Sequence, residues 1–531
     1  MSRSFAASSK PRRRIVIVGG GISGLAAAHK LSQQARSDDP PLEVLLLEAS
    51  PRLGGTIRTY EREGFLLEGG PDAFISEKPE ALELSKQLDL ESHLLETGAA
   101  HRRSFIVRGG RLRPVPEGFQ LLAPSRFWPF VTTDVFSWAG KARMALELLL
   151  PRRALVAPEV DDESLAEFVR RRFGREALER MAQPMVGGIY TADPEKLSLR
   201  ATMPRFLEME RRHRSVIRAM WRARRNSTTD TETRSTSGAR YSLFLSFDGG
   251  MQMLPDRLAA ALPQGTTRLG ARVEAIEFDA QAGSWKLRLS ANRTTRGTET
   301  LSRAEAKSLN EPASENETTR AGETNRAGGL SAAGELIEAD GVCLALPAYA
   351  SAQLLGAVDT SLAAELAAIP YASTATVNLA FRRADIPHPL DGFGFVVPYI
   401  ERRRVIACTF SSVKFAGRAP AGHALLRAFV GGALQPEMYA LDEEQMIAAV
   451  CADLRALLGI ERAPLFAHVE KWPRSMAQYH LGHLARVARI REHLRRFPTL
   501  QLAGNAYGGA GIPDCIRSGH AAADALMNAE R

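Results

Sequence analysis

The run Gly19-Gly20-Gly21-Ile22-Ser23-Gly24 fits the pattern G-x-G-x-x-G, whose spacing suits the diphosphate of a dinucleotide. Gly19 permits a tight turn, Gly21 lets the backbone approach a pyrophosphate, and Gly24 lets the following helix pack closely on its strand. The helix N-terminus then presents free N–H groups and a partial positive charge to phosphate oxygens. Downstream, Glu48 can accept hydrogen bonds from a ribose diol, and its charge would repel a 2′-phosphate. The glycines alone are weak evidence, because a glycine-rich turn without a ligand reads the same way; the flanking elements decide. Ile15-Val16-Ile17-Val18 is an all-apolar run of the kind that forms a buried parallel strand. Leu25 to Gln34 reads as an alanine-rich helix, and Val44-Leu45-Leu46-Leu47 as a second strand ending at the acid.

A second motif starts at that acid. Glu48-Ala49-Ser50-Pro51-Arg52-Leu53-Gly54-Gly55-Thr56 reads E-x-x-x-R-x-G-G. Arg52 could cross a diphosphate, and the paired glycines allow close backbone approach. This motif resembles that of the flavoprotein superfamily of amine oxidases, phytoene desaturases and protoporphyrinogen oxidases. Further segments narrow the match. They are Gly64-Phe65-Leu66-Leu67-Glu68-Gly69-Gly70-Pro71-Asp72-Ala73, then Pro184 to Tyr190 with Asp193-Pro194 and Leu197-Ser198, and Phe247-Asp248-Gly249-Gly250-Met251-Gln252. Gly392-Phe393-Gly394, Trp472-Pro473-Arg474 with Gln478-Tyr479, and the closing run Gly508-Gly509-Ala510-Gly511-Ile512-Pro513 complete the set. Together they resemble the FAD-dependent protoporphyrinogen/coproporphyrinogen oxidase family, although Ala477 stands where that family usually has proline.

The resemblance implies an α/β fold with mixed sheets: a Rossmann-type FAD-binding domain, a mixed-sheet substrate domain and a helical subdomain. The expected FAD domain is discontinuous, comprising 14–110, 240–289, 335–350 and 495–531. Residues 111–225 would be helical and membrane-facing, and 351–494 would bind substrate. The implied FAD contacts are Gly19, Gly20, Gly21, Ile22, Ser23, Gly24, Glu48, Ala49, Arg52, Gly55, Thr56, Gly70, Pro71, Asp72, Ala73, Val273, Trp472, Ala510, Gly511 and Ile512. Val273 lies in an alternating run, which equally fits a core residue. The C-terminal helix would start at the flavin, Pro513 being suited to a first helical turn. Its positive end could stabilise the reduced ring.

The implied substrate is a porphyrinogen, oxidised by hydride transfer to the flavin, with molecular oxygen as acceptor and hydrogen peroxide as product. Pocket candidates are Arg103, Ser104, Gly187, Gly188 and Phe393. Some family members place an arginine where Ser104 falls, so Arg102 or Arg103 would have to substitute; solvated surface arginines are the plainer reading. Phe393 is equally readable as a core aromatic. Asp72 stands where some members carry Arg or Asn. An acid there would not welcome a propionate, and this form resembles bacterial members, which favours coproporphyrinogen III over protoporphyrinogen IX. No histidine or lysine falls in the matched motifs as an acid or base, so orientation and exclusion of water are the expected protein contributions. The rivals are an amine oxidase or carotenoid desaturase on the same scaffold, and a non-catalytic binding protein. The segment Gly188-Ile189-Tyr190 with Asp193-Pro194 argues against the first pair, and the retained Trp472 against the last.

Composition sets outer bounds. The net charge of +9 favours anionic partners, but no zinc finger or RNA-binding aromatic motif accompanies it, so nucleic acid is not expected. Cys343, Cys408, Cys451 and Cys515 are spaced too widely for a metal site or disulfide framework, so no metal is expected and reduced thiols in a cytoplasmic setting are. The stretch from Phe119 to Pro151 concentrates Phe127, Trp128, Phe130, Phe136 and Trp138. It reads either as the core of a helical subdomain or as a surface at a membrane interface. A peripheral membrane contact and a homodimer are the further partner expectations. Residues 1–13 read as a leader. Residues 226–239 and 290–334 are too poor in apolar side chains to offset their ordering entropy and read as disordered insertions in surface loops.

Overall fold

A computed structural model describes residues 13–34, 42–120, 122–153, 162–226, 244–290 and 334–529. The leader and both expected insertions lie, apart from their edges, outside the described residues.

The first strand, Arg13–Val18, has Ile15, Val16 and Ile17 fully buried. Neighbouring residues on a strand point to opposite faces, so burial of all three requires a cover on both sides of the sheet. The strand sits in the middle of a five-stranded sheet. It pairs in parallel with Leu42–Leu47 on one side and Gly341–Leu344 on the other. Thr267–Arg268 and Leu500–Leu502 extend the two edges, also in parallel. Helix Ile22–Gln34 makes the crossover between the first two strands. The last helix, Ile512–Asn528, packs against it so closely that a Cβ on Gly519 would lie 2.2 Å from the Ser23 carbonyl oxygen. The two ends of the chain therefore share one layer.

A three-stranded antiparallel ribbon, Val273–Asp279, Ser284–Leu289 and Leu336–Ala339, adjoins this sheet. The pairing of Arg288 with Leu336 brings together the two strands that flank the longer insertion.

A second, seven-stranded sheet runs in the order Phe466–Ala477, Tyr371–Arg382, His423–Gly431, Ala407–Phe410, Gly394–Val396, Phe105–Arg108, Arg111–Pro114. All its pairs are antiparallel except Gly394–Val396 with Phe105–Arg108. The hairpin Phe105–Pro114 thus joins this sheet and straddles the expected 110/111 division.

The helical part includes Phe127–Thr132, Trp138–Ala145, Leu165–Arg172, Gln183–Tyr190 and Pro204–His213. Phe168, Phe173 and Phe206 fill its centre. Beside them, Arg172 and Glu147 form a fully buried ion pair. Glu147 also accepts from the Ser215 hydroxyl at 2.5 Å and the Val216 N–H at 2.8 Å, so the buried carboxylate is well supplied with partners, as burial of charge requires. The aromatic cluster read from the sequence divides in two. Phe130 and Phe136 join the core, whereas Phe127, Trp128 and Trp138 face outward. Among the described residues no helix is long and apolar enough to cross a membrane.

Candidate active site

At the end of the first strand the chain turns on Gly19, whose φ of +108° is costly for any residue with a Cβ. A Cβ on Gly24 would sit 1.9 Å from the Gly19 carbonyl oxygen, so only glycine lets the helix start this close to the turn. The first helical hydrogen bond runs from Leu25 N–H to the Gly21 carbonyl at 2.9 Å. The amides ahead of it are not consumed by the helix and carry its positive end. Above Gly21 lies open space, for a Cβ there would meet nothing within 4 Å.

Glu48 holds the rim of this space. One carboxylate oxygen accepts from the Gly20 N–H at 2.6 Å, the other from the Ser50 N–H at 2.8 Å. Each oxygen keeps a further lone pair for a diol. The segment entering the antiparallel ribbon runs alongside, with Gly270 N–H donating to the Ser50 carbonyl and Ala271 N–H to that of Glu48. Val273, half-buried at the start of its strand, thereby stands close to residues 48–50, where Ala49 is exposed. Gly54 N–H donates to the Gly20 carbonyl at 2.9 Å. This folds the second motif onto the first and leaves Gly55 and Thr56 exposed at the opening. Arg52 turns its guanidinium to the carbonyls of Leu53, Gly55 and Ile57. In this arrangement it fixes the loop that carries the glycines.

The segment 69–73 crosses next. A Cβ on Gly70 would overlap the Thr56 carbonyl oxygen, at 1.7 Å. Trp472 Nε1 and Thr376 Oγ1 each donate to the Gly69 carbonyl at 2.9 Å, which brings Trp472 from the seven-stranded sheet to this segment. Pro71, Asp72 and Ala73 are half-buried. Asp72 is not an isolated charge. Lys414 Nζ lies 2.8 Å from one of its oxygens and Arg427 3.9 Å from the other. Burial would raise its pKa, but these cations hold it at about 2. Arg427 also donates to the Gly70 carbonyl. Below them Glu68 is buried. Burial pushes it up to about 7, against the Met251 N–H, the Thr59 hydroxyl and Arg418, which favour the ionised form.

The chain's last helix closes the site. Tyr479, stacked on His483, donates to the Asn505 carbonyl and accepts the Gly509 N–H at 2.9 Å. Burial raises the Tyr479 pKa and lowers that of His483 to about 4, so a neutral phenol and a neutral imidazole support the loop. Gly509, at φ +138°, makes room for Asp514, since a Cβ there would meet the Asp514 side chain at 2.3 Å. Lys78 bonds Asp514 at 2.5 Å and ties this helix start to the segment after Ala73. Ala510 and Gly511 precede the first turn, and Ile512 opens it. Two helix starts, the carboxylate rim and a tryptophan-backed strand thus enclose one opening. These are the residues the sequence reading expected at a dinucleotide, brought together from both ends of the chain.

Of the proposed pocket residues, Arg103, Ser104 and Phe393 immediately precede strands of the seven-stranded sheet, and Gly187 and Gly188 belong to the helical part. Phe393 is 4% exposed, and its N–H donates to the Arg103 carbonyl at 2.8 Å. Arg103 is paired with Asp391, and its Nε donates to the Asp391 carbonyl at 2.6 Å. Ser104 continues that chain, its carbonyl accepting from Val115 N–H. Gly187 and Gly188 lie on the helix Gln183–Tyr190, where a Cβ on Gly188 would reach Val396 at 3.9 Å. The sequence reading missed Lys414, Arg418 and Arg427. A usable signal was present in HALLRAFVG, where one arginine interrupts an apolar strand and must find a partner inside.

Fold and site together are those of the α/β dinucleotide-binding class, with the first and last helices packed on one another. The family model for flavin containing amine oxidoreductase matches residues 22–527, and the chain belongs to that family; its cofactor is FAD. It is 34% identical to coproporphyrinogen III oxidase of Bacillus subtilis (strain 168), over 98% of this chain and 99% of that protein. It is 29% identical to the chloroplastic protoporphyrinogen oxidase of Oryza sativa subsp. japonica, over 97% of this chain and 88% of that one. Among solved structures, that of a candidate protoporphyrinogen oxidase from Exiguobacterium sp. 255-15 superposes with a TM-score of 0.77 at 29% identity, covering 97% of this chain and 98% of that chain.

Proposed function

We propose that this protein oxidises a porphyrinogen to the porphyrin in heme biosynthesis, with coproporphyrinogen III preferred over protoporphyrinogen IX and molecular oxygen as the electron acceptor. The observation that carries the reading is the similarity, over nearly the full length of both chains, to a coproporphyrinogen III oxidase, in a chain whose first and last helices pack together. When bound, FAD supplies hydride acceptance from a bridging carbon and returns the electrons to oxygen as hydrogen peroxide, in repeated cycles. The chain's own part is placement. Residues 19–24 and the start of the last helix present backbone amides to the dinucleotide. Glu48 takes the ribose diol. Residues 70–73 and Trp472 back the ring. Phe393, Arg103, Ser104, Gly187 and Gly188 form the pocket wall on the side of the seven-stranded sheet.

Asp72 does not repel a substrate carboxylate in this arrangement, because Lys414 and Arg427 offset its charge. A preference for the substrate with more propionates is compatible with this balance. The division into an FAD domain, a substrate domain and a helical subdomain, the last making a peripheral membrane contact from the cytoplasm, belongs to the same proposal.

The test is anaerobic. Coproporphyrinogen III and protoporphyrinogen IX are added separately to the yellow protein, bleaching of the flavin is followed, and air is then admitted. Bleaching followed by porphyrin fluorescence is expected, faster with coproporphyrinogen III. If neither compound bleaches the flavin, the reaction assignment fails.

A further inference from the structure

The segment 138–149 carries an apolar stripe on its outer face. Trp138, Ala142, Ala145, Leu146 and Leu149 recur at helical spacing, and all are exposed, Trp138 to 72% and Leu149 to 70%. Two of its three charged residues, Lys141 and Glu147, point inward beside the apolar Met144. Lys141 is buried and donates to the Val131 carbonyl at 2.6 Å; Glu147 is buried against Arg172. Burying charge costs desolvation, and exposing Trp and Leu forgoes hydrophobic gain. The inward charges have partners of their own, whereas the exposed Trp and Leu regain their hydrophobic gain only when the outer face is covered. The neighbouring helix Phe127–Thr132 adds Phe127 and Trp128, also exposed.

Just past Leu149 the chain enters an open cavity of about 430 Å³, lined by Arg152, Arg211, Arg212, His213, Arg214 and Arg222. Arg214 joins the cavity to the stripe, its Nη2 donating to the Leu149 carbonyl at 3.1 Å. Among the described residues, the ion pairs of this group all go to Glu208, which meets Arg211 at 3.1 Å and also contacts Arg212. Among the described residues, one carboxylate against five arginines leaves the cavity strongly positive, at the end of an apolar face.

We propose that this cavity takes the phosphate-bearing headgroup of an anionic phospholipid in a bilayer, while the 138–149 stripe lies in the interface beside it. The proposal rests on the peripheral membrane contact advanced above and names its lipid class. A bilayer suits the pair of features because apolar rings and cationic side chains bind its two layers at once. A protein partner would have to supply both an apolar groove and a cluster of acids.

The test uses the FAD-loaded full-length protein with vesicles of phosphatidylcholine alone and vesicles containing phosphatidylglycerol, read by co-sedimentation. Binding is expected to be at least about tenfold tighter to the anionic vesicles, and R152A/R222A should remove on the order of ten- to thirtyfold of it. W138S/L149S should weaken binding to both vesicles. R462A/R491A, which removes the same charge from exposed positions elsewhere, should change it by less than about twofold. All variants should keep the flavin spectrum and the turnover of dissolved substrate, since none alters the flavin site. Equal binding to both vesicles, or equal loss in the two arginine pairs, overturns the headgroup site while leaving the membrane contact standing. Absence of binding to either vesicle overturns both, and self-association through the stripe would then identify it as a protein interface.

Discussion

Single side chains in the cleft act mainly by holding backbone in place. Glu48 joins the glycine turn to the second motif through two amide bonds. Hydrogen bonds to a charged group contribute about 1.5–3 kcal/mol each. Glu48→Ala should therefore weaken FAD binding on the order of 10- to 100-fold, measured by titrating apoprotein with FAD and following flavin fluorescence. Glu68 gives a pH prediction. Its folded pKa is near 7 against an ordinary 4.5, because burial disfavours the charge. The folded chain thus keeps a proton that the unfolded chain releases. The stability contributed by neutral Glu68 is complete below about pH 4.5 and is lost as pH rises toward 7. Glu68→Gln should flatten that decline, by on the order of 1–3 kcal/mol, seen as a smaller drop in Tm between pH 5 and pH 8. An unchanged pH profile would mean that Glu68 is ionised throughout. Asp72 works with the opposite sign: its pairing with Lys414 and Arg427 stabilises above about pH 4 and fades as pH falls toward 2.

Between elements, the decisive contact is the crossing of the first and last helices. Gly519 lies against the Ser23 carbonyl with no room for a side chain. Gly519→Val should push the helices apart, costing about 1–3 kcal/mol as other overpacked sites do. It should also lower flavin retention, read from the absorbance ratio of the purified protein, because both helix starts face the cofactor in the proposed arrangement. Loss of stability with full flavin content would separate packing from binding. The strand Phe466–Ala477 and the residues just after it act similarly on the other wall, delivering Trp472 to residue 69 and Tyr479 to the loop before the last helix.

At the scale of the whole molecule, strands distant in sequence complete single sheets. Leu289 and Leu336 flank the long polar insertion yet belong to adjoining paired strands. Replacing residues 292–332 with a short turn should leave FAD content unchanged and raise stability by about 1–2 kcal/mol, since a roughly tenfold shorter loop costs less entropy to close. Thermal unfolding followed by flavin release checks this. A collapse of FAD binding would show that the insertion contributes to the cleft. Phe168, Phe173 and Phe206 of the helical part share one core with Val16, Val18 and Trp285, while Trp128 and Trp138 turn outward, so the outer surface can be altered without touching that shared core.

The glycine turn, the acid that follows it and the apolar strands were legible from residue order alone, because each depends on steric and hydrogen-bonding limits that act over a few neighbours. The same holds for the start of the last helix, where Pro513 and the glycines before it specify a helix opening locally. Placement of the hairpin Phe105–Pro114 in the seven-stranded sheet was not legible, because strand pairing at such separation depends on which edge remains open after the rest has folded. Nor was the balance at Asp72 visible in its motif: Lys414 and Arg427 reach it from more than three hundred residues away. A charge in a buried site is defined by its partners, and only the folded chain brings those partners within range.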